Sequence, residues 1–293
     1  KVILFAFMEN GICSLREIEK FCRTDIRYMY LLDEMKAPTF ATFGNLIRNE
    51  LTVSIEQIFT DINTYIFAKD HVDLQHTYID GTKIEANANR YTWVWKKSCI
   101  KNRQKVFDKI SVLIDAMNQE VLGYLGIKLE KREEYAIDYV SELLAMYKEG
   151  TGLDENSFVS GCGHRKSIQQ KQYQELQGYL KRLKTYARHI EICGNERNSY
   201  SKTDQDATFM RLKRDYMGND QLLPAYNLQA AICDEYIAVI DVKPYASDME
   251  CFVPLMEKFN RTYGHYPKYP VADAGYGSYN NYLYCEEHGM EKY

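Results

Sequence analysis

Two short apolar stretches that each lead into an aspartate constrain the fold of this chain more than any other feature of its sequence. The run 76–79 favours an extended strand that ends at Asp80, and Gly81 then permits a sharp turn. A second apolar run, 269–272, ends at Asp273 and is followed by glycines. A carboxylate at the end of a buried strand is costly unless it is paired or binds a metal. We therefore expect the fold to bring Asp80 and Asp273 together around a divalent cation.

The bulk composition is that of an ordinary globular chain. Its 293 residues suffice for one large domain or two smaller ones, and they are 45% hydrophobic and 27% charged. The net charge of −4 argues against a uniformly basic surface but leaves room for local basic patches. None of the eight cysteines forms a Cys-x-x-Cys pair, so we expect reduced cytosolic thiols, with no zinc site at the close pair Cys162 and His164. No apolar run approaches the roughly 18 residues that a membrane helix needs.

The first 70 residues have the pattern of a small helical domain. Ser14 and Glu17 form a capping-box sequence that predicts a helix over 15–22, and apolar residues recur at helical spacing over 43–67. The early helices carry the basic residues Arg16, Lys20, Arg23 and Arg27. Such helices are typical of helix-turn-helix DNA binding, and a packing or dimerisation domain is equally compatible with them. We therefore predict an N-terminal helical DNA-binding or dimerisation domain over 1–70.

The remainder of the chain, 71–293, reads as a mixed α/β domain. Strands around 76–90 precede a long charged region in which helices are predicted at 106–125, 131–148 and 167–192. Beyond it we predict a polar segment with a short helix over 199–214, a hairpin of strands 225–233 and 236–242, a helix over 247–263, a strand over 268–274 and a helix over 278–287. This order fits an RNase H-like mixed sheet with a helical insertion, 96–198, after its first strand.

Two basic clusters lie within the helical region. The first interleaves with aromatic residues and contains Arg90, Tyr91, Trp93, Trp95, Lys96, Lys97, Lys101, Arg103, Lys105 and Lys109. The second contains Arg165, Lys166, Lys171, Lys181, Arg182, Lys184 and Arg188. Basic side chains among aromatic ones suit contacts with phosphates and unstacked bases, although a charge run is also typical of a solvated helix face. We predict DNA contacts from Lys83, Arg90, Trp93, Lys96 and Lys97, and leave the role of the second cluster open.

The chemistry expected of the acidic pair is that of a magnesium site. Two carboxylates with open coordination positions suit Mg²⁺, and two such ions would activate a nucleophile and stabilise the leaving oxygen of a phosphodiester. A third acid is normally required for the second ion. The other acids within reach by sequence are Glu85, Asp204, Asp206 and Asp241. We interpret Asp204 and Asp206 as caps of the helix predicted after them.

Four motifs in this chain resemble those of one enzyme family. YIDGTKIEANANRYTW at 78–93 resembles the first acidic motif of bacterial insertion-sequence transposases of the DDE class. SKTDQDATFMR at 201–211 and LPAYNLQAA at 223–231 are similar to their central signature and the strand after it, and VADAGYGS at 271–278 resembles their second acidic motif. The segments SLREIEKFC at 14–22 and FGNLIR at 43–48 resemble the N-terminal helical domain of the same transposases.

The resemblance implies a specific function and cofactor. It implies DNA transposition, a form of DNA recombination, through cleavage and strand transfer at the ends of the mobile element by an RNase H-like domain. The implied cofactor is Mg²⁺ or Mn²⁺, with two ions in the intact protein. Asp80 and Asp273 correspond to the first two catalytic, metal-binding acids. The implied partners are double-stranded DNA, at the terminal inverted repeats and the target, and a second copy in a homodimer, within the nucleoid of a bacterial cytoplasm and without a membrane.

One element of the family pattern has no counterpart in this sequence. The family's third acid is a glutamate on a later helix in an Arg-rich segment, and both termini look cut, so we expect an incomplete catalytic domain that is inactive as a fragment. Two alternatives remain open from the sequence. One is a non-catalytic, transposase-derived DNA-binding protein or relic, and the other is a host nuclease of the same fold.

Overall fold

Two units make up the chain, Lys1–Asp73 and Leu74–Tyr293. They are seen in a computed structural model that describes residues 1–33, 35–161, 165–213, 218 and 220–291. Cys162 and His164, the close pair at which no zinc site is expected, lie outside the described residues. Within those ranges, no helix combines the length and the apolar character that crossing a membrane would require.

The first unit is helical throughout. At the start of its second helix, Ser14 Oγ accepts a hydrogen bond from the Glu17 backbone N–H, and a Glu17 carboxylate oxygen accepts one from the Ser14 N–H at 2.7 Å, which confirms the predicted capping box. The core of the unit includes Ala6, Ile18 and Tyr28, all without solvent exposure. The helices are α1 (Val2–Asn10), α2 (Leu15–Thr24), α3 (Ile26–Leu31), α4 (Phe40–Asn45) and, after a π-helical turn at Leu46–Leu51, α5 (Thr52–Asp70). Its DNA-binding or dimerisation role stays a prediction.

The second unit is a mixed α/β structure built on a sheet with parallel and antiparallel strands. Its elements are β1 (His76–Glu85), β2 (Trp93–Trp95), α6 (Lys96–Glu120), α7 (Ile137–Thr151), α8 (Ile168–Cys193), β3 (Ser199–Ser201), β4 (Thr208–Arg211), β5 (Leu222–Cys233), β6 (Tyr236–Lys243), α9 (Phe252–Tyr263), β7 (Tyr269–Ala272) and α10 (Tyr279–Glu287). β5 is antiparallel to β1 on one edge, and to β4 and β6 on the other, while β7 is parallel to β1. α9 packs on β6 and buries Leu255, Met256 and Phe259.

The first strand does not end where the sequence analysis places its end. β1 continues through Asp80 and Gly81 to Glu85, paired residue by residue with β5, so the sharp turn predicted at Gly81 is wrong. The glycine serves a close approach instead. A Cβ on Gly81 would lie 2.4 Å from Nε2 of Gln229, the residue directly opposite it on β5. Gly81 is therefore required by packing across the sheet rather than by a turn.

The predicted long helical region forms between β1 and β5 with a core of its own. α6, α7 and α8 bury a shared apolar cluster whose members include Ile110, Met117, Leu143 and Leu176. The two ends of this region are joined by an antiparallel ribbon in which β2 pairs with β3. The short helix predicted within 199–214 is wrong over its described part, because Ser199–Ser201 and Thr208–Arg211 are strands paired with β2 and β5.

The predicted hairpin of β5 and β6 is confirmed, although its turn contains no glycine. Asp234 adopts a φ of 51° and so occupies the left-handed conformation that glycine usually supplies. The predicted strand before Asp273 is also confirmed as β7, and the helix predicted after it begins at its N-cap Ser278, whose hydroxyl accepts from the Asn281 N–H.

Candidate active site

Asp80 and Asp273 lie next to each other on neighbouring strands. The parallel pairing of β1 with β7 runs from His76 opposite Tyr269 to Ile79 opposite Ala272, and each aspartate is the next residue in its chain. Adjacent strands are about 5 Å apart, so the two carboxylates start from closely spaced backbones. The predicted proximity of the two acids is therefore found in the structure, and it arises from strand register across a long sequence separation.

Both carboxylates are exposed and each accepts one local hydrogen bond. Asp80 Oδ1 accepts from the Gly81 N–H at 2.8 Å, and Asp273 Oδ1 accepts from the Gly275 N–H at 2.9 Å, which caps the single 3₁₀ turn at Ala274–Tyr276. The Oδ2 atoms of both residues accept no hydrogen bond from the described residues. The expectation of costly buried carboxylates is wrong, because the even-numbered face of β1, which carries Asp80, is open to solvent.

A shallow cavity of about 290 Å³ joins the two acids. It is lined by Tyr78, Ile79, Asp80, Ile232, Val271, Ala272 and Asp273. The two carboxylates form one polar edge of a cavity whose other lining is mainly apolar. A small cation and a phosphate group can both approach this edge.

Lys213 is a basic side chain beside Asp80 that the sequence analysis did not single out. Its ammonium donates to the Gly81 carbonyl at 3.0 Å and lies 3.7 Å from Asp80 Oδ1. Both side chains are mostly exposed, so the ion pair contributes little to stability. Its position matters more, because a cation or a phosphate that reaches Asp80 meets this ammonium. Only its place soon after the central signature hints at it in the sequence.

The remaining acids do not join the pair. Asp204 accepts from the Tyr226 hydroxyl at 2.8 and 2.9 Å through its two oxygens, and the Asp206 N–H donates to Asp204 Oδ1. These two residues precede β4, so their interpretation as helix caps is wrong. Asp241 is buried with its carboxylate 3.4 Å from the Lys243 ammonium. Glu85, the fourth of these acids, lies at the exposed end of β1.

The predicted DNA contacts are distributed over several surfaces. Lys83 has the strand parity opposite to that of Asp80 and therefore points to the other face of the sheet. The Lys96 ammonium donates to the Gly194 carbonyl at the C-terminus of α8, a favourable place for a cation. The Arg90 guanidinium lies 5.1 Å from the centre of the Tyr91 ring. Trp93 and Lys97 are exposed. Contacts between these residues and DNA stay predictions.

The donor set fits a hard divalent cation in part. Two adjacent carboxylates with unoccupied Oδ2 atoms are oxygen ligands of the kind that Mg²⁺ and Mn²⁺ prefer. Within the described ranges, however, no group of three or more His, Cys, Asp and Glu side chains could hold a metal ion. Two carboxylates are fewer ligands than a complete two-cation site needs, and the assignment of Asp80 and Asp273 as metal ligands stays a prediction.

Comparison with known protein families gives a match to the part of the chain that contains Asp273. Residues 197–292 match the family model described as the transposase DDE domain. The match spans the central signature, the β5–β6 hairpin, α9, β7 and α10, and it confirms the resemblance to DDE transposases. No curated protein and no solved structure matches the chain.

Proposed function

We propose that this chain, of which residues 197–292 match the transposase DDE domain, cleaves DNA and transfers strands at the ends of an insertion sequence. The observation that supports this proposal is the register of β1 and β7, which sets Asp80 and Asp273 side by side at one edge of the sheet. The strand order β6–β5–β1–β7, in which β7 pairs with β1 in parallel and the other two pairs are antiparallel, supports an RNase H-like core.

The chain's own residues have three tasks in this activity. Asp80 and Asp273 would hold divalent cations through their Oδ2 atoms, while local backbone N–H groups fix the Oδ1 atoms. Lys213 lies where it can contact a phosphate that approaches Asp80. When bound, the cations would activate the attacking water or 3′-hydroxyl and would neutralise charge on the leaving oxygen.

A stripe of lysines on α6 supports DNA as the partner. Lys97, Lys101, Lys105 and Lys109 recur every four residues, are all exposed, and therefore share one face of the helix over about 18 Å. This length matches several phosphates along one strand of a duplex. We propose that this face, together with Trp93 and Arg90, binds the DNA backbone, and that the protein works as a homodimer on two DNA ends.

Nicking of DNA tests the catalytic proposal. Supercoiled plasmid is incubated with Mn²⁺ and a form of the protein that also carries a third acid, as wild type, Asp80→Asn or Asp273→Asn. We expect each substitution to reduce nicking by at least about 100-fold while DNA binding in a gel-shift assay stays within about twofold, because only a metal ligand is lost. Glu235→Gln, an exposed acid in the β5–β6 turn, is the matched control. Nicking at the wild-type rate in either aspartate variant would contradict the proposal.

The salt dependence of DNA binding tests the lysine stripe. Lys101→Gln combined with Lys105→Gln should reduce the slope of log K against log [salt] by about 2, since each phosphate contact contributes about 0.9. The control is Lys181→Gln combined with Lys184→Gln on the exposed surface of α8, which should leave the slope unchanged. An unchanged slope in the α6 variant removes this face from the interface. DNA binding without any metal-dependent nicking would favour the non-catalytic alternative.

A further inference from the structure

A group of hydrogen-bonded polar side chains, three of them buried and one half-buried, lies directly beneath the backbone that carries the two acids. It consists of Asn227 and Gln229 on β5, Asp248 in the turn before α9, and Tyr276 just after Asp273. Asn227 and Gln229 have no solvent exposure, and Tyr276 is 4% exposed. These four residues are called the amide–phenol network below. They do not touch the cavity between the acids, so the proposed chemistry does not account for them.

Gln229 is the centre of the amide–phenol network. Its Nε2 donates to Asn227 Oδ1 at 2.8 Å and to Asp248 Oδ1 at 3.2 Å, and its Oε1 accepts from the Tyr276 hydroxyl. Asn227 Nδ2 also donates to Asp248 Oδ1, at 2.7 Å. Burial, together with the nearby carboxylates, raises the pKa of Tyr276, which keeps the phenol protonated as a donor. The glutamine amide thus has both donor hydrogens and its acceptor engaged, which fixes its orientation.

The network links the two segments that carry the acids. On one side, the Gln229 amide lies against Gly81, the residue after Asp80, so closely that a Cβ there would be 2.4 Å from Nε2. On the other side, Tyr276 ends the 3₁₀ turn that Asp273 caps. A shift of the amide would therefore move the strand at Asp80 or release the turn at Asp273.

We propose that Gln229, with Tyr276 and Asp248, is a positioning residue that sets the separation of the Asp80 and Asp273 carboxylates for divalent cations. The proposal rests on the proposed metal-dependent function and assigns the residues that support its site. Apolar side chains of similar volume would fill this space without the cost of burying Asn227, Gln229 and Tyr276. A polar network whose hydrogen bonds are satisfied specifies one geometry, whereas an apolar cluster would not. Hydrogen-bonding partners behind metal ligands commonly tune affinity in this way.

Two conservative variants remove the network's function while they preserve its volume. Tyr276→Phe deletes only the hydroxyl that joins the Asp273 turn to Gln229. Gln229→Met keeps the length of the side chain and removes all its hydrogen bonds. The matched control is Tyr284→Phe, which also deletes a hydrogen-bonded phenol, one that contacts Glu257 and Tyr266. Among the described residues, Tyr284 contacts neither the network nor the two acids.

Direct Mn²⁺ binding to the 293-residue chain, followed by electron paramagnetic resonance of free Mn²⁺, is the readout. We expect Tyr276→Phe and Gln229→Met to weaken Mn²⁺ binding by about tenfold, with Tyr284→Phe within about twofold of wild type. Urea unfolding of all three variants separates this effect from general destabilisation, which the control shares. Wild-type Mn²⁺ affinity in both network variants would overturn the positioning proposal alone. Absence of an Mn²⁺ site that depends on Asp80 in the wild-type chain would instead overturn the proposed function.

Discussion

Replacement of Gly81 by alanine probes the close approach of Gln229 to this strand. The added Cβ would lie 2.4 Å from Gln229 Nε2 and 3.0 Å from Cδ and Oε1 of the same side chain. Gly81 is in regular strand pairing, so alanine suits its backbone conformation and the effect must come from this contact. Gln229 cannot retreat cheaply, because all its polar atoms are engaged in buried hydrogen bonds.

The expected cost follows from two destabilising contributions and one stabilising contribution. Overpacking a buried site costs about 1–3 kcal/mol, and displacing the amide leaves buried polar atoms unpaired at about 1–3 kcal/mol. Restricting the unfolded chain by a Gly-to-Ala change returns only about 0.4–1 kcal/mol. Gly81→Ala should therefore lower the free energy of unfolding by about 2 kcal/mol or more.

Urea unfolding followed by tryptophan fluorescence measures this cost in the second structural unit, which contains Gly81. Both tryptophans of the chain, Trp93 and Trp95, lie in the second unit, so their emission reports its unfolding. The decisive comparison is Gly81→Ala on a Gln229→Ala background, where the opposing side chain is absent and the cost should fall below about 0.5 kcal/mol. Equal costs in the two backgrounds, or a cost near zero in the wild-type background, would refute the contact as the reason for the glycine.

Three further predictions concern other parts of the second unit. Burial and nearby basic side chains lower the pKa of His189 in the folded chain. The unfolded chain therefore binds more protons below about pH 6.5, and stability is lost as the pH falls below that value. His189→Gln should show a smaller loss of Tm between about pH 7.5 and 5.5 than wild type, and an equal loss would contradict this. Tyr226→Phe removes the hydroxyl that donates a hydrogen bond to Asp204 and should lower the free energy of unfolding in urea by about 1–2 kcal/mol. A change below about 0.5 kcal/mol would show that Asp204 needs no such partner. Lys213→Met removes the ammonium beside Asp80 and should tighten Mn²⁺ binding by up to about fivefold, since an exposed ion pair contributes at most about 1 kcal/mol. Weaker Mn²⁺ binding would contradict competition between the ammonium and the cation for Asp80.

Local pattern was sufficient to predict much of the fold. The capping box at Ser14, the helical periodicity of α8 and the alternating hairpin of β5 and β6 are all encoded within short windows, and each is found in the structure. Asp80 and Asp273 could be selected and paired because each follows an apolar run, and the resemblance to DDE transposases implied the same pair. The number of residues between two strands does not determine how those strands pair, so only the observed pairing of β1 with β7 establishes that the two aspartates are neighbours.

The errors share a physical cause, which is a partner distant in sequence. Gly81 looked like a turn residue because Gln229, the side chain that demands a glycine, belongs to another strand. Asp204 looked like a helix cap because its true partner, the Tyr226 hydroxyl, lies beyond the intervening strand. Lys213 was not singled out because, apart from its place soon after the central signature, its local sequence does not indicate a position beside Asp80.

Cleavage of the backbone by bound iron tests the central claim, that Asp80 and Asp273 form one cation site. Fe²⁺ in the presence of ascorbate and peroxide generates hydroxyl radicals that cut the chain close to the bound ion. We expect two cuts at the same Fe²⁺ concentration, one near residue 80 and one near residue 273, both suppressed by Mg²⁺ and both lost in Asp80→Asn as well as in Asp273→Asn. Cuts near only one aspartate, or two cuts that respond to different variants, would contradict a shared site.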